Sequence, residues 1–440
     1  MEDRRPPLVD VTEIARAPGG AARVSTMAGH LVGSEILKIA GEIRAMKASG
    51  AAVSDLTVGD FQPRQFPIPE LLLGAIEAAL RAGETNYPPA SGVVPLREAV
   101  QRFYERELGL RYPVESVLIA GGARPLIYGT YRALADRGDK IVYPVPSWNN
   151  NHYVTMVEGT DAVVVCGPES RFLPSAEALA AELPGARLVC LNSPLNPTGT
   201  AITAEALTGI CDAILEENRG REARGERPLY LMYDHIYWML CFGDARHVTP
   251  MSLRPEMARY TVMIDGISKA FAATGLRVGW AVGPVDVMSR MNAIIGHVGA
   301  WAPRAEQVAT TALLDDPAAI RAYHRTFIGA VGERLSMLHH GFQALRDAGL
   351  PVDSIPPMGA IYLTARVHPF GKKTPEGATL ATNEDVRRYL LDAAGIGIVP
   401  FQAFGYPGDD GWFRLSVGAI GIDEIQAALP RLKAALEALV

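Results

Sequence analysis

The chain has 440 residues, more than a single hydrophobic core normally serves, so two or more domains are expected. With 48% hydrophobic and 20% charged residues it is not a disordered chain, and its formal net charge of −6 argues against nucleic-acid binding. Four cysteines without a C-x-x-C pair indicate neither a zinc site nor a disulfide framework, and we expect no metal. The polar N-terminus has no signal-peptide pattern and no segment is apolar enough to cross a membrane, so a cytoplasmic protein is predicted.

The first two-thirds of the chain change their hydrophobic pattern twice. The first 25 or so residues predict a loose arm, and apolar residues at helical spacing then predict a helix over Ser34–Ser49 with Ser34 as its N-cap. Between about residues 115 and 285, short apolar runs alternate with helical stretches, which predicts an α/β sheet covered on both faces. The predicted strands are Val117–Ala120, Lys140–Tyr143, Ala162–Val165, Arg187–Leu191, Leu229–Tyr233, Thr261–Ile264 and Arg277–Val282.

The last third predicts a smaller α+β unit. A long helical tract, Pro284–Ala348, is interrupted near Ala302, and a final helix is predicted over Glu424–Leu439. Between them lie three predicted strands, at Ala360–Thr364, Ile396–Val399 and Trp412–Val417. The charge-rich segment Glu216–Pro228 is predicted as a surface loop or a frayed helix end.

Two of the first strand ends carry groups that suit a phosphate and a flat ligand. Gly121-Gly122-Ala123-Arg124 lies between a strand and a helix, where backbone N–H groups can approach a phosphate. The segment matches neither G-x-G-x-x-G nor the P-loop pattern, so it indicates neither NAD nor ATP. Trp148 follows the next strand and is either a packing residue or a stacking surface for a planar ligand.

Three later strand ends carry an amide, a carboxylate and a lysine. Asn196 lies in the turn NSPLNPTG, which is a tight loop or a rigid loop that presents an amide to a ligand. Asp234, three residues before Tyr237, is either a helix cap or a buried carboxylate that needs a cationic partner. Lys269 follows a strand, with Arg277 eight residues on. Together, these strand ends supply what the phosphate, ring, ring nitrogen, phenolic oxygen and aldehyde of pyridoxal 5′-phosphate (PLP) require.

At these residues the sequence resembles the class I/II aminotransferases of PLP fold type I, the aspartate aminotransferase superfamily. The motifs NSPLNPTG, YDHIY, SK with an arginine eight residues on, and FRLS follow the family's order from about Ser34 to Arg414. The resemblance implies an α/β large domain, residues 60–300, with a mostly parallel seven-stranded sheet flanked by helices. A smaller α+β domain would span residues 301–440, and residues 1–59 would form an arm and helix packing with it.

The resemblance also implies roles around the cofactor. Lys269 matches the lysine that forms the Schiff base with PLP and moves the substrate proton. Asp234 matches the partner of the pyridine nitrogen, and Tyr237 and Asn196 match the donors to the phenolic oxygen. Trp148 matches the aromatic residue that stacks on the ring.

The phosphate site follows from the same resemblance. Gly122, Ala123 and Arg124 match the phosphate turn, and Ser268 and Arg277 complete the site. The family often has a serine three residues before the lysine, where this sequence has Gly266, and Asp-Glu where this sequence has Asp234-His235. Neither departure removes a group that the chemistry requires.

The substrate residues implied are Arg414, which would bind the α-carboxylate bidentately, and Gly59, Trp148 and Asn196 beside it. Tyr87 resembles the tyrosine that reaches the neighbouring subunit's phosphate, which implies a homodimer with shared active sites. Arg414 as a structural charge and Tyr87 as part of an irregular turn are the alternatives.

The function implied is transfer of an amino group from an L-amino acid, aspartate-like or aromatic, to a 2-oxoacid such as 2-oxoglutarate. Side-chain specificity is left open between His297, Trp301 and Arg304, with Arg304 or Arg124 as the candidate for a dicarboxylate. The alternatives are a PLP-dependent lyase acting at Cβ by β-elimination and a ligand-sensing module of a transcriptional regulator. The acidic net charge argues against the second alternative.

Overall fold

The computed structural model describes residues 8, 10–16, 24–31, 33 and 35–440. Ser34, predicted to cap the first long helix, lies outside the described residues, as does part of the predicted arm. The α-helices are α1 (Thr12–Ala15), α2 (Thr26–His30), α3 (Glu35–Ala48), α4 (Glu70–Arg81), α5 (Val94–Leu108), α6 (Ala123–Leu134), α7 (Asn150–Val157), α8 (Ala176–Ala180), α9 (Ala204–Arg224), α10 (Pro250–Leu253), α11 (Ile267–Ala270), α12 (Val285–Val298), α13 (Arg304–Leu314), α14 (Pro317–Asp347), α15 (Asn383–Ala394) and α16 (Ile422–Glu437).

The strands form three sheets, of seven, four and two strands, in the part of the chain that the structure describes. They are β1 (Ser54–Asp55), β2 (Val117–Ala120), β3 (Lys140–Val145), β4 (Thr160–Val165), β5 (Ala186–Asn192), β6 (Tyr230–Asp234), β7 (Thr261–Gly266), β8 (Gly279–Val282), β9 (Val352–Ser354), β10 (Tyr362–Val367), β11 (Ile396–Gly397), β12 (Val399–Pro400) and β13 (Trp412–Ser416).

The seven-stranded sheet has the order β2-β8-β7-β6-β5-β3-β4. All of its pairs are parallel except those made by β8, so the predicted mostly parallel α/β sheet is confirmed. Six of its strands are buried on both faces, under α5, α9 and α13 on one side and under α6, α7 and α12 on the other, whereas the edge strand β4 alternates between buried and exposed residues. This burial explains why the strand sequences are apolar throughout instead of alternating.

Parallel pairing brings the polar strand ends to one edge of this sheet. Asn192 at the end of β5 lies opposite Asp234 at the end of β6, and Asp234 lies opposite Ile264 of β7. Helix α11, which carries Lys269, begins directly after β7. The carboxyl edge of β5, β6 and β7 is therefore where the predicted chemistry gathers.

The four-stranded sheet is antiparallel, in the order β12-β13-β10-β9, and packs on α14, α15 and α16. The chain before the large sheet joins this unit through β1, which pairs in parallel with β11. Ile39 and Ile43 of α3 share a buried cluster with Val399 and Phe401. The domain bounds remain a prediction.

The structure corrects three predictions of the strands. The strand predicted from Arg277 begins at Gly279, because Arg277 has a left-handed backbone with φ 56°. The strand predicted over Ile396–Val399 is two short strands, since β11 pairs with β1 while β12 pairs with β13. Two short strands were missed, β1, which pairs with β11, and β9 at the edge of the small sheet.

The helical tract is interrupted twice, not once. The second break lies between α13 and α14, where the Asp316 side chain accepts hydrogen bonds from the backbone N–H groups of Ala318 (3.0 Å) and Ala319 (2.9 Å). Pro317 occupies the first helical position, where its missing N–H costs nothing. The charge-rich segment after Glu216 is mostly helical, because α9 continues to Arg224.

Candidate active site

A cavity of about 600 Å³ opens at the carboxyl edge of the large sheet and is closed on its other side by the four-stranded sheet and the loop at Gly59. All of the predicted site residues except Gly122 and Tyr87 line it. They are Gly59, Ala123, Arg124, Trp148, Asn196, Asp234, Tyr237, Ser268, Lys269, Arg277 and Arg414.

Asp234 presents a carboxyl group to the base of this cavity. Its backbone carbonyl accepts hydrogen bonds from Asn192 Nδ2 (2.8 Å) and the Ser193 N–H (3.0 Å), which fix the end of β6. Its Oδ1 accepts from the Ile236 N–H at 3.1 Å. Burial raises the pKa of Asp234 to about 6, opposed by that N–H and by the charge of Lys269. A cationic hydrogen-bond donor in the cavity would hold this carboxylate ionised.

Lys269 lies across the cavity floor. Its Nζ donates to the Gly59 carbonyl at 2.6 Å and lies 5.7 Å from the ring centroids of Phe61 and Tyr237. Burial lowers the pKa of Lys269 to about 8, and Asp60 opposes the shift. A lysine with this pKa supplies neutral amine near neutral pH, which a nucleophile toward an aldehyde requires.

Arg277 and the start of α6 form an anion-binding corner. Arg277 Nη1 donates to the Thr274 carbonyl (2.7 Å) and Nη2 to the Gly121 carbonyl (3.0 Å), which leaves its other N–H groups available. Gly122 caps α6 with φ 90°, and a Cβ there would collide with the Arg277 guanidinium. Gly122 therefore shapes this corner although it does not line the cavity. The free N–H groups of the first turn of α6 favour an anion.

Arg414 is the buried cation of the opposite wall, with 1% of its surface exposed. Its Nη2 donates to the Thr57 carbonyl and its Nη1 to Asn196 Oδ1 at 3.1 Å. Its Nε is buried without a hydrogen-bond partner. Because Asn196 uses its oxygen for Arg414, its amide nitrogen is left as a donor to the cavity. An unsatisfied buried guanidinium N–H is costly unless a ligand acceptor reaches it.

Tyr362 is a cavity residue that the sequence analysis missed. Its hydroxyl lies 2.6 Å from the Tyr237 hydroxyl, and its ring centroid lies 4.7 Å from Arg414 Cζ. A Cβ on Gly59 would lie 2.7 Å from the same hydroxyl, so the loop needs glycine there. Tyr362 reaches the cavity because β10 pairs with β13, the strand of Arg414, and no local motif reveals that pairing.

Asp60 also lines the cavity. Its Oδ1 accepts from Thr274 Oγ1 (2.5 Å) and from the Phe61 N–H (2.8 Å). Thr274 also offers its carbonyl to Arg277, so the loop at Gly59 and the anion-binding corner are joined directly. The charge of Asp60 partly opposes the lowering of the Lys269 pKa by burial.

Arg124 and Trp148 form the outer wall. The Arg124 Cζ lies 4.8 Å from the Trp148 ring centroid, and Arg124 is exposed. Among the described residues no carboxylate pairs with Arg124. The aromatic loop after β12 joins this wall to Arg414, because the Phe404 carbonyl accepts from the Ser147 N–H (2.9 Å) and its ring lies 4.8 Å from Arg414 Cζ.

The residues left open for specificity lie away from this cavity. His297 is exposed at the end of α12, and Arg304 pairs with Glu84. Trp301 packs against Tyr87 with ring centroids 5.3 Å apart, and Tyr87 is 82% exposed. The structure therefore does not bring these four residues into the cavity of their own chain.

The two departures from the family motif have different settings. A Cβ on Gly266 would lie 2.7 Å from the Val278 carbonyl, so a serine does not fit there without movement of β8. His235 is buried in a polar cluster behind Asp234. Within the described ranges, no group of three or more His, Cys, Asp or Glu side chains is placed to hold a metal ion, and no helix is both long and apolar enough to span a membrane.

Comparison with known proteins agrees with this geometry. The model of the family aminotransferase class I and II matches residues 52–432. The aspartate aminotransferase of Rhizobium meliloti (strain 1021) is 31% identical over 409 residues, covering 92% of this chain and 94% of that protein. A probable aspartate/prephenate aminotransferase of Rhizobium leguminosarum bv. phaseoli is 29% identical over 408 residues, covering 91% and 95%.

Solved structures of aspartate aminotransferases have the same fold as this chain. The crystal structure of the Rhizobium meliloti aspartate aminotransferase superposes with a TM-score of 0.86 at 30% identity, covering 95% of this chain and all of that one. The Thermus thermophilus aspartate aminotransferase with maleate superposes with a TM-score of 0.83 at 26% identity, covering 94% and 99%.

Proposed function

The chain belongs to the class I and II aminotransferases, and on that premise we propose that it transfers the amino group of an aspartate-like L-amino acid to a 2-oxoacid such as 2-oxoglutarate. It is a PLP-dependent transaminase. The observation that supports a dicarboxylic substrate is the pair of guanidinium groups, Arg414 and Arg124, that face one cavity without a carboxylate partner among the described residues.

The donor set of the cavity fits PLP. Asp234 is a buried carboxyl group that lacks a cationic partner at hydrogen-bond distance, and the ring nitrogen of PLP is such a partner when protonated. The corner at Arg277, Ser268 and the start of α6 suits the phosphate, with the turn Gly122-Ala123-Arg124 supplying N–H groups. Trp148 suits the flat ring.

Bound PLP supplies an electron-deficient ring that stabilises the negative charge left when the Cα–H bond of the substrate breaks. The chain's residues do the rest. Asp234 would keep the ring nitrogen protonated by accepting its hydrogen bond. Tyr237, whose hydroxyl contacts that of Tyr362, and Asn196, whose oxygen is used by Arg414, would donate to the phenolic oxygen.

Lys269 is assigned the proton transfer. Its amine would hold the aldehyde group of PLP when the cofactor is bound. The neutral amine would act as the base that takes the proton from the substrate Cα. The lowered pKa of Lys269 serves both directions, because the group must accept the proton and then release it.

Arg414 is assigned the substrate α-carboxylate. Thr57 and Asn196 hold the guanidinium in place, and the unpartnered Nε supplies one N–H for the ligand. A guanidinium binds a carboxylate through two parallel hydrogen bonds, which orient the Cα–H bond as well as bind it. The loop at Gly59 lies beside this group, at the end of the Lys269 side chain.

Arg124 is assigned the side-chain carboxylate of the substrate. It lies on the outer wall against Trp148, within the same cavity as Arg414. The relatives named aspartate aminotransferase and the Thermus thermophilus structure with maleate, a four-carbon dicarboxylate, support a substrate with two carboxylates. The apolar parts of the wall, Ile36 and Tyr153, favour an aromatic substrate as the second candidate.

The test compares Arg124→Met with Arg132→Met, an exposed arginine at the other end of the same helix. We expect Arg124→Met to lower kcat/KM for aspartate by about 30-fold or more and to leave alanine within about twofold, because a charge-assisted hydrogen bond is worth roughly 1.5–3 kcal/mol. Arg132→Met should leave kcat/KM unchanged for both aspartate and alanine. The readout is the loss of visible cofactor absorbance with single amino acids and no 2-oxoacid, together with release of the matching oxoacid.

Three results would change this assignment. Equal losses for aspartate and alanine would place Arg124 on the cofactor instead of the substrate. A preference of the unchanged enzyme for phenylalanine over aspartate would move the proposal to aromatic substrates. Accumulation of ammonia and pyruvate with persistent cofactor absorbance would indicate lyase chemistry instead of transamination.

We also infer a homodimer and a cytoplasmic location. Tyr87 is 82% exposed, and the Nε1 of the adjacent Trp301 is buried without a partner, as expected of an aromatic pair that a second copy covers. Light scattering gives the mass, and Tyr87→Phe should weaken PLP affinity if Tyr87 reaches the partner's phosphate. The four cysteines are unpaired, which suits a reducing compartment.

A further inference from the structure

A buried polar cluster lies on the opposite face of the large sheet from the cavity, behind Asp234. Asp265 near the end of β7, Tyr104 of α5 and His235 after β6 are each at most 1% exposed. The Tyr104 hydroxyl lies 3.2 Å from Asp265 Oδ2 and 2.9 Å from His235 Nε2. His235 Nδ1 lies 3.3 Å from the Nε2 of His247, which is partly exposed. These four residues connect the surface to the strand beside Asp234 without passing through the cavity.

Two tryptophans restrict how hydrogens are shared in this cluster. An indole N–H can only donate, and Trp238 donates to Asp265 Oδ2 (2.9 Å) while Trp280 donates to the Tyr104 hydroxyl (3.1 Å). The hydroxyl of Tyr104 then has one hydrogen and one lone pair left for Asp265 and His235. It must donate to one of them and accept from the other.

Two arrangements satisfy every contact. With Asp265 ionised, Tyr104 donates to Asp265, His235 Nε2–H donates to Tyr104, and His247 Nε2–H donates to His235 Nδ1. With Asp265 protonated, each of these hydrogen bonds runs the other way, and His247 carries its hydrogen on Nδ1. Both histidines are neutral in both arrangements, in keeping with the burial that lowers the pKa of each.

The two arrangements differ by one proton, which moves by four transfers. A proton from solvent binds His247 Nδ1, and the hydrogen on His247 Nε2 passes to His235 Nδ1. The hydrogen on His235 Nε2 passes to the Tyr104 oxygen, and the Tyr104 hydrogen passes to Asp265 Oδ2. The two histidines and Tyr104 are neutral before and after the transfers. Only Asp265 changes charge, from a carboxylate to a neutral carboxylic acid. Among the described residues nothing bonds to His247 Nδ1, so the outer end of the chain is open.

We propose that His247, His235 and Tyr104 form a proton relay through which Asp265 exchanges its proton with solvent, and that Asp265 is a positioning residue whose neutral form leaves Asp234 the only ionised carboxylate beside the cofactor nitrogen. Asp265 follows Ile264, the residue opposite Asp234 in the sheet, so the two aspartates stand on neighbouring strands with their side chains on opposite faces. The negative charge of Asp234 disfavours a second negative charge on Asp265. A neutral Asp265 therefore leaves the negative charge on Asp234, where PLP needs it.

Titratable groups border the relay at both ends. At the inner end Asp265 contacts Tyr104, and Tyr112 acts on Tyr104 electrostatically. Burial raises the pKa of Asp265 to about 8, opposed by its hydrogen bonds from Gly266, Trp238 and Tyr104, and the charge of Asp234 adds to the rise. The outer end at His247 faces Tyr233 and Cys241, with Arg246 next in sequence. The Arg246 Nη1 donates to loop carbonyls, of Gly243 and Ala245.

The test is infrared difference spectroscopy of the full chain, with PLP bound and with PLP removed, across pH 6–10. We expect a carboxylic-acid C=O band that carbon-13 aspartate shifts, that Asp265→Asn removes, and that disappears as the pH rises through about 8. If Asp265→Asn does not fold, Tyr104→Phe replaces it as the assignment, because loss of the hydroxyl partner shifts the same band. Absence of an aspartic-acid band at pH 7 would overturn the proposal.

The relay itself is tested with His247→Phe, which keeps a ring of similar size and removes the entry nitrogen. The band should remain, and its response to a pH jump should slow by about tenfold or more, since histidine is the proton carrier at the surface. His340→Phe, a histidine of α14 outside the cluster, is the control and should respond at the wild-type rate. An unchanged rate in His247→Phe would show that protons reach Asp265 by another path.

The holoenzyme supplies a second readout. Asp265→Asn has a neutral residue at every pH, so the visible absorbance of bound PLP should lose the part of its pH dependence that follows the infrared band. Because the infrared band exists without PLP, failure of the relay and failure of the proposed substrate specificity give different results. A purely structural role for Asp265 would lower thermal stability and leave the spectral titration in place.

Discussion

The two walls of the cavity are built differently. The wall on the seven-stranded sheet presents Asp234 and Lys269 from strand ends, whose backbones are fixed by a ladder of parallel hydrogen bonds. The opposite wall presents Arg414 from an antiparallel strand, and its contacts with Thr57 and Asn196 join segments that lie far apart in the chain. In the proposed function, the first wall carries the proton chemistry and the second holds the substrate. Substitutions in the two walls should therefore affect different kinetic constants.

Lys269→Ala breaks the first wall and should have the largest effect. The chain loses the group that binds the aldehyde and the base that moves the proton, and general acid–base catalysis alone contributes up to about 10⁴-fold. We expect the half-reaction with aspartate to fall by at least that factor. Lys140→Ala, at the far end of β3 and paired with Glu182 at 2.7 Å, is the control. Retention of more than about one-hundredth of the rate would remove Lys269 from the reaction.

Arg414→Lys breaks the second wall. A lysine cannot make the paired hydrogen bonds of a guanidinium, so KM should rise and kcat/KM should fall by about 100-fold, in line with roughly 2–5 kcal/mol for a broken buried charge contact. Arg366→Lys on the neighbouring strand, with its Cζ 5.8 Å from the Trp412 ring, is the matched control. A change confined to kcat, with KM unaltered, would argue against binding of the α-carboxylate by Arg414.

The pH dependence of PLP binding tests the lowered pKa of Lys269 in the first wall. A lysine at its ordinary pKa would be almost fully protonated at pH 8, whereas burial lowers the pKa of Lys269 to about 8. The fraction of Lys269 in the neutral amine form therefore increases about tenfold per pH unit below pH 8 and levels off above pH 8. Stopped-flow absorbance of the PLP-free chain mixed with PLP should show this midpoint. A midpoint above pH 10 would mean that the Lys269 amine is exposed to water in the PLP-free protein and that its pKa is not lowered by burial.

Tyr362→Phe tests the contact between the two walls that the Tyr237 and Tyr362 hydroxyls make, and it should have the smallest effect. The variant removes the hydroxyl that lies 2.6 Å from Tyr237, and one hydrogen bond is worth about 1 kcal/mol, or roughly fivefold in rate. We expect kcat to fall by about that factor with little change in KM. Tyr389→Phe removes a hydroxyl that donates to the Ala435 carbonyl at 2.6 Å, away from the cavity, and should lower stability only.

The first wall was predictable because its rules are local. A buried strand followed by a polar residue places that residue at the carboxyl edge of a parallel sheet, and Asn196, Asp234 and Lys269 all follow this rule. The departure at Gly266 was also visible in the sequence. Its cause was not, because the carbonyl that excludes a side chain there belongs to the segment before β8.

The second wall and the relay depended on pairings that no segment encodes alone. The sequence by itself determined the α/β sheet, the family motifs and the strand-end groups, since each follows from periodicity or from a short run of residues. Only the tertiary structure brought Tyr362 to Tyr237, Asp60 to Thr274, and Tyr104 to Asp265. Contacts of this kind are fixed by which strands pair and which helix covers them, and burial then decides the charge that each group carries.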